Sequence, residues 1–364
     1  RELAETIERR REVGTGASVG TTDARGGAEQ SAAGGEGRRR ESRVSVGLVG
    51  AGAYARGVLL PQFKAAGAEF RSVATASGVT ARDAAERYDF AALAASADAV
   101  IADPHVNLVV VATRHDSHAA LARRALDAGQ HVFVEKPLAL NDAELDAVLD
   151  SATRARGTLT VGFNRRFSPH AIAARKFFAD RRDPLSILYR VNAGRVPPAH
   201  WTQNELEGGG RIIGEVCHFV DLIQFWTGSP PLNVFAESVR SDNREAVDHD
   251  SVFVTLRFAD GSTGCVAYLA EGDRALAKER IEIFGAGRSF VVEDFRAAVA
   301  YRDGREEKTR LRAPDKGQAG QVRAVCATLL TGAPAPIPLA ELAATTRATF
   351  RILDSLRTGQ PVQL

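Results

Sequence analysis

Val44-Ser45-Val46-Gly47-Leu48-Val49-Gly50-Ala51-Gly52-Ala53-Tyr54-Ala55 is an apolar run that empties into a glycine turn and then into helix-forming residues. The run reads as a buried strand, and residues 54–66 read as the helix that follows it. Strand, tight glycine turn and helix in that order aim the helix's unbonded N–H groups and positive dipole end at a pyrophosphate. Gly50 and Gly52 are the turn residues, since a Cβ there would hold the phosphates away, and Ala53, Tyr54 and Ala55 open the helix that faces them.

Downstream, buried-strand runs alternate with helical runs. Strands are expected over 70–75, 108–113, 131–134 and 158–162, and helices over 80–88, 116–128 and 141–156. Such alternation builds a doubly wound parallel sheet, the Rossmann α/β arrangement. Past a connecting segment, 163–182, the rhythm shifts to period two, with strands expected over 185–192, 232–240, 251–258, 263–268, 280–284, 289–293 and 298–302. Asp260-Gly261 and Asp303-Gly304 are hairpin signals among them. One helix, 211–227, interrupts this series, and two more, 318–330 and 339–357, close the chain. The expected fold is α/β: an N-terminal Rossmann domain over 43–162, then a substrate-binding and oligomerisation α+β domain over 163–364 with a large, mostly antiparallel open sheet. The final helices are expected to pack back on the first domain. Along 252–258, Val252, Val254, Leu256 and Phe258 alternate with polar positions, so one sheet face covers a core and the other is available to a second subunit.

Composition sets bounds on function. The chain has 364 residues, 45% hydrophobic and 25% charged, enough for a sizeable core and about two domains of the usual ~100–200 residues. A formal net charge of +2 gives no electrostatic reason to invoke nucleic acid or an anionic membrane. No apolar run approaches the ~18 residues of a membrane span. Cys217, Cys265 and Cys326 are far apart and lack metal-ligand spacing, so neither a disulfide framework nor a metal site is expected, and a reducing cytoplasm fits. Small molecules are the expected partners.

The chain starts at Arg1 and contains no methionine, which reads as a trimmed product or a fragment of something longer. Residues 1–42 read as a disordered tail or linker, because Gly, Ala, Ser and charge cannot bury enough apolar surface to offset ordering. Arg9-Arg10-Arg11 and Arg38-Arg39-Arg40 do not make an export signal, since no apolar segment follows the first and the second runs into the first strand.

Five motifs follow one another: Gly50 to Ala55, Thr113-Arg114-His115-Asp116-Ser117-His118, Glu135-Lys136-Pro137-Leu138, Gly162-Phe163-Asn164-Arg165-Arg166-Phe167, and Gly208-Gly209-Gly210 with His218 eight residues later. Together they resemble the Gfo/Idh/MocA family, relatives of glucose-fructose oxidoreductase and inositol dehydrogenase, over nearly everything from 44 to 364. The strings TRHDSH and GGGRIIGEVCHFVDL are similar to the oxidoreductase module of bi-domain proteins that carry a zinc-alcohol-dehydrogenase-like module upstream. The resemblance implies an NAD(P)-dependent enzyme acting on a hydroxyl or keto carbon of a sugar, sugar acid, nucleotide-sugar or cyclitol. It also implies a homo-oligomer, a dimer or tetramer formed through the second sheet.

Oxidising a secondary alcohol requires a base for the hydroxyl proton and a cation beside the developing alkoxide. Lys136 follows a buried strand at the carboxyl edge where open α/β sheets bind ligands, and Pro137 fixes the backbone around it. His218, as a neutral imidazole, is the candidate proton acceptor. By resemblance an aspartate belongs four residues before this histidine, but the chain has Gly214 there. Glu215, three residues away, can reach the same helix face and is the candidate catalytic replacement. Thr113, His115, His118, Glu135 and Lys136 are implied to line the cofactor, with His118 either doing so or capping the next helix. Asn164 and Arg165 stand at the domain junction, where the guanidinium can hold an anionic substrate group or a cofactor phosphate, while Arg166 and Asp221 read as structural. His200 and Trp201 precede the triple glycine in a loop implied to approach the sugar, and the indole serves either a pyranose face or a core.

Cofactor choice turns on the end of the second strand, where NAD-selective proteins place a carboxylate on the ribose hydroxyls. Ala74-Thr75-Ala76-Ser77-Gly78-Val79-Thr80-Ala81-Arg82 has none, and Ser77, Thr80 and Arg82 are candidate donors to a 2'-phosphate, so the expectation leans to NADP, the alternative being a solvated loop and a chain that binds both cofactors. Two other functions stay open at this level: a non-catalytic dinucleotide-binding regulatory or scaffold module, and redox-assisted glycosidic elimination.

Overall fold

The computed structural model describes residues 41–239 and 249–364. The tail or linker expected over 1–42 therefore lies almost wholly outside the described residues, as does the last residue of the strand expected to reach 240.

Strand β1 (Ser45–Val49) is buried along its whole length and lies inside a six-stranded parallel sheet. Its companions are β2 (Glu69–Ala74), β3 (Ala92–Leu93), β4 (Leu108–Val111), β5 (His131–Val134) and β6 (Leu159–Val161), in the order β3-β2-β1-β4-β5-β6. β1 pairs with β2 on one side and β4 on the other, so the chain reverses its winding there and a crevice opens at the strands' carboxyl ends. Gly50 makes that turn possible: its φ is +92°, and a Cβ on it would stand 2.6 Å from the Ala112 carbonyl oxygen at the end of β4.

The helix expected after the turn begins as a π-helical turn, Ala55–Leu59, and continues as α1 (Leu60–Ala65). Helices α2 (Gly78–Tyr88), α3 (Ala97–Ile101), α4 (His118–Asp127) and α5 (Asp142–Arg154) complete the layers around this sheet. Asn141 caps α5 by accepting from the Glu144 N–H. Two apolar cores flank the sheet, one holding Val109, Val111, Val132, Val134, Leu145 and Val148, the other Val46, Leu48, Phe63, Val110 and Phe133.

After α6 (Pro169–Phe177), within the connecting segment, the chain enters a nine-stranded sheet. Its strands are β7 (Ser186–Asn192), β8 (Pro231–Ser238), β9 (Val252–Phe258), β10 (Thr263–Leu269), β11 (Glu279–Gly285), β12 (Arg288–Glu293), β13 (Ala297–Arg302), β14 (Arg305–Arg310) and β15 (Val362–Gln363). They run in the order β14-β13-β12-β11-β7-β10-β9-β8-β15, and every pairing is antiparallel except β7 with β10. Val252, Val254, Leu256 and Phe258 face a core with α7 (Cys217–Thr227), whose Phe219, Leu222 and Ile223 lie in the same cluster. α8 (Gln318–Thr331) sends Val322, Val325 and Leu329 into the core of the first sheet, beside Leu60 and Phe63. α9 (Leu339–Thr358) divides its apolar side, Leu342 toward the first sheet and Ile352 toward the second.

Apart from α6 in the connecting segment, the elements that the sequence pattern leaves out are short or lack burial. β14 is exposed at all six positions, so no apolar alternation marks it, and its charges shield the sheet edge. β3 and β15 are two residues each, too short for a period.

Candidate active site

A cleft of about 500 Å³ opens at the switch point of the first sheet, with the second domain as its far wall. Gly52 lies on its rim, and a Cβ there would meet nothing within 4 Å, so the backbone turn is open to a ligand. Ala53 and Tyr54 are exposed beside it and Ala55 is buried behind. These residues suit a diphosphate: a glycine backbone that can be approached closely, at the start of a helical segment.

Glu135 and Lys136 leave β5 together. Burial pushes the Glu135 carboxyl up to about 7, although the neighbouring Lys136 ammonium pulls it back. Gly162 at the end of β6 makes room for it, since a Cβ on that glycine would come within 2.8 Å of Glu135 Oε1. Lys136 reaches across the cleft and donates from Nζ to the Gly214 carbonyl at 2.8 Å. Gly214 belongs to a π-helical turn, Ile212–Val216, that precedes α7, and such single turns recur at functional sites.

His218 is in the first turn of α7 and lines the cleft. Burial, aided by the Arg165 and Lys136 charges, lowers its basicity well below that of a free imidazole, so the ring is neutral. Its Nδ1 is buried without a hydrogen-bond partner. Glu215 does not fill that role. Its carboxylate accepts from Tyr268 Oη at 2.5 Å and from Lys278 Nζ at 2.8 Å, and pairs with Arg211 at 3.3 Å. Burial alone would raise its pKa, but the Lys278 ammonium and these donors hold it down at about 2. The expectation that Glu215 orients His218 is thus corrected: its carboxylate is taken up by Tyr268 of β10, by Lys278 and by Arg211.

Arg165 also differs from the expectation of a guanidinium offered to a phosphate or substrate anion. It lines the cleft, yet its Nε and Nη2 donate to Glu279 of β11 at 2.9 Å each, and Glu279 also accepts from Tyr189 at 2.5 Å and Lys316 at 2.7 Å. Two of its donor nitrogens are taken up by an internal carboxylate. Arg166 makes the analogous pair with Asp221, at 2.5 and 3.0 Å. Asn164 donates to the Lys316 carbonyl at 2.7 Å and stays on the cleft wall.

Thr113, His115 and His118 follow β4. His118 is buried with Nδ1 2.8 Å from the Pro137 carbonyl and Nε2 3.2 Å from that of Thr113, binding the helix start to the Lys136 loop. His115 Nδ1 lies 2.7 Å from the Gly208 carbonyl of the second domain. Trp201 packs edge-on against the His115 ring at 4.7 Å, and His200 beside it is exposed. Arg114 stacks over Trp201 and pairs with Glu207, and the Asp116 N–H donates to the Glu207 carbonyl at 3.1 Å. Ser77 and Arg82, near the start of α2, are exposed and stand outside the lining of the cleft.

Sequence reasoning missed Lys316, Gln318 and Arg211, which also line the cleft. Arg211 directly follows the triple glycine, a usable signal, whereas nothing local distinguishes Lys316 and Gln318.

Residues 44–163 match a family model described as the oxidoreductase family, NAD-binding Rossmann fold, and residues 183–291 match the GFO/IDH/MocA C-terminal domain. The chain is 31% identical over 258 residues to the inositol 2-dehydrogenase of Rhizobium meliloti (strain 1021), covering 70% of this chain and 76% of that protein. It is 31% identical over 199 residues to the myo-inositol 2-dehydrogenase of Thermotoga maritima, covering 52% of this chain and 58% of that protein. A levoglucosan dehydrogenase solved in complex with NADH and levoglucosan shares the fold, with a TM-score of 0.77 at 21% identity over 88% of this chain and 99% of that one. With the glycine turn, the Glu135-Lys136 corner and the nine-stranded second sheet all in place, the chain belongs to the Gfo/Idh/MocA family of oxidoreductases.

Proposed function

We propose that this chain is an NAD(P)-dependent dehydrogenase or reductase that interconverts a hydroxyl and a keto carbon on a sugar or cyclitol. The observation that carries the reading is that Lys136 and His218, from different domains, line the cleft that also contains the open Gly52 turn. The relatives named for inositol oxidation supply the substrate class.

When bound, the nicotinamide supplies the hydride acceptor or donor. Gly50 and Gly52 let the backbone approach the diphosphate. The Lys136 ammonium, held by the Gly214 carbonyl, sits where a substrate oxygen would enter, and stabilises negative charge developing on it. His218, kept neutral by burial, offers a lone pair for the hydroxyl proton. Burial, with the Arg165 and Lys136 charges, disfavours charge on that imidazole. Glu135, with a carboxyl near 7 next to Lys136, is the group able to take up or release a proton at neutral pH.

Cofactor preference extends the proposal to NADP(H), because no carboxylate stands between Ala74 and Arg82 to accept from the ribose hydroxyls or repel a 2'-phosphate. Association is proposed through the outer face of the second sheet, where Leu188, Phe235, Phe253 and Phe284 are exposed.

Fluorescence titrations with NADPH and NADH, followed by a polyol screen, test this reading. Lys136→Ala should leave dinucleotide affinity within a fewfold and reduce turnover by about 10²–10³, the range for loss of a group that stabilises charge developing on oxygen. A fully active variant would remove Lys136 from the chemistry. Dinucleotide binding without turnover of any polyol would favour the non-catalytic module instead.

A further inference from the structure

We infer that His115 is a substrate-contacting residue, presenting Nε2 as a fixed hydrogen-bond acceptor to a hydroxyl of the bound sugar or cyclitol from a ring seated against the bare backbone of Gly214. The inference rests on the reading of the cleft as a polyol site. A carbonyl oxygen only accepts, so the 2.7 Å contact with Gly208 places the ring proton on Nδ1 and leaves the lone pair on Nε2. Burial, with the Lys136 charge, lowers the imidazole to about 3, which keeps it neutral through the working range. Nε2 makes no hydrogen bond to another described residue, and the ring lines the cleft. Trp201, packed edge-on at 4.7 Å, and Gly208 from the same loop fix the ring from the second domain.

Gly214 is the other half of this arrangement. A Cβ on it would lie 3.0 Å from His115 Cε1, tighter than ordinary van der Waals contact, and 3.5 Å from Nδ1. Any side chain at 214 would press on the imidazole, at the same residue whose carbonyl holds Lys136. The glycine, the histidine and the lysine therefore form one unit: backbone without a Cβ, a ring occupying the room, and an ammonium on the backbone oxygen. A buried acceptor built to receive a hydroxyl discriminates against analogues lacking it, because the acceptor is then left unpaired.

The test uses the polyol that wild type turns over best, with KM, kcat and dinucleotide affinity measured separately. His115→Phe preserves the ring but removes the acceptor, and should raise KM for that polyol ten- to a hundredfold while dinucleotide affinity stays within twofold. Gly214→Ala should raise KM in the wild-type background and add little on top of His115→Phe, a non-additivity expected only of coupled sites. His115→Asn, which retains an acceptor oxygen, should recover part of the loss. Unchanged KM in both single variants, or a loss confined to dinucleotide affinity, overturns the assignment. Because wild-type turnover is established first, such a result stands apart from failure of the polyol reading itself. Should His115→Phe fold poorly, Gly214→Ala with His115 intact decides the matter through the same rise, or absence of a rise, in KM.

Discussion

Single residues at this site are set by burial and by one or two charges each. Glu135 shows the consequence for stability. Its folded carboxyl titrates near 7, against the ordinary value of 4.5, because burial disfavours the charge more than Lys136 favours it. A folded pKa above the unfolded one contributes stability fully below about 4.5 and loses it as pH rises through about 7. Wild type should therefore weaken between pH 5 and pH 8 relative to Glu135→Gln, by roughly 2–3 kcal/mol in denaturant titrations. Parallel pH dependence in the two proteins would assign the effect elsewhere. His115 and His218, both lowered by burial, are protonated near 6.5 only in the unfolded chain, an effect of opposite sign that is the same in the two proteins and cancels from that difference.

Between elements, the joints around the cleft are buried ion pairs. The turn Asn164–Phe167 is tied to β11 by Arg165 and Glu279 and to α7 by Arg166 and Asp221. Glu279 is fully buried and serves Arg165, Lys316 and Tyr189 at once. Removing one partner of a buried pair leaves an uncompensated charge, so Glu279→Gln should cost about 3–5 kcal/mol and lower the thermal midpoint by several degrees. A loss below 1 kcal/mol would mean that water reaches Arg165. These joints explain why two sequence-based roles moved. Arg165 was available for an external anion only while β11 was unplaced, and Glu215 for His218 only while Tyr268 and Lys278 were.

On the scale of the described residues, α9 packs against the cores of both sheets, and one face of the second sheet carries exposed apolar side chains. Across it, Phe235, Thr255, Cys265 and Leu188 follow one another in register on neighbouring strands, with Phe253 and Phe284 on the same face. Apolar side chains 37–51% exposed in one sheet face are the kind of surface a subunit contact covers. Phe253→Glu should shift the molecular mass in sedimentation toward monomer without changing the dinucleotide affinity of the first domain. An unchanged mass in both wild type and variant would place any association on another face. Among the described residues, no helix is long and apolar enough to cross a membrane.

The sequence by itself determined the two-sheet α/β architecture, the glycine turn, the Glu135-Lys136 corner and the histidine-bearing helix. Each is written in consecutive residues whose spacing has one good local structure: Val44 to Val49 must be buried, and Gly50 must take a positive φ. Tertiary structure alone decided which charges are paired internally and which remain free. Arg165 with Glu279, Glu215 with Lys278, and His115 with Gly208 and Gly214 are separated by scores of residues, and no local pattern couples them. Their pairing is fixed by which strand ends and loops the packed cores bring together, because a buried charge takes the nearest desolvated partner whatever its place in the chain.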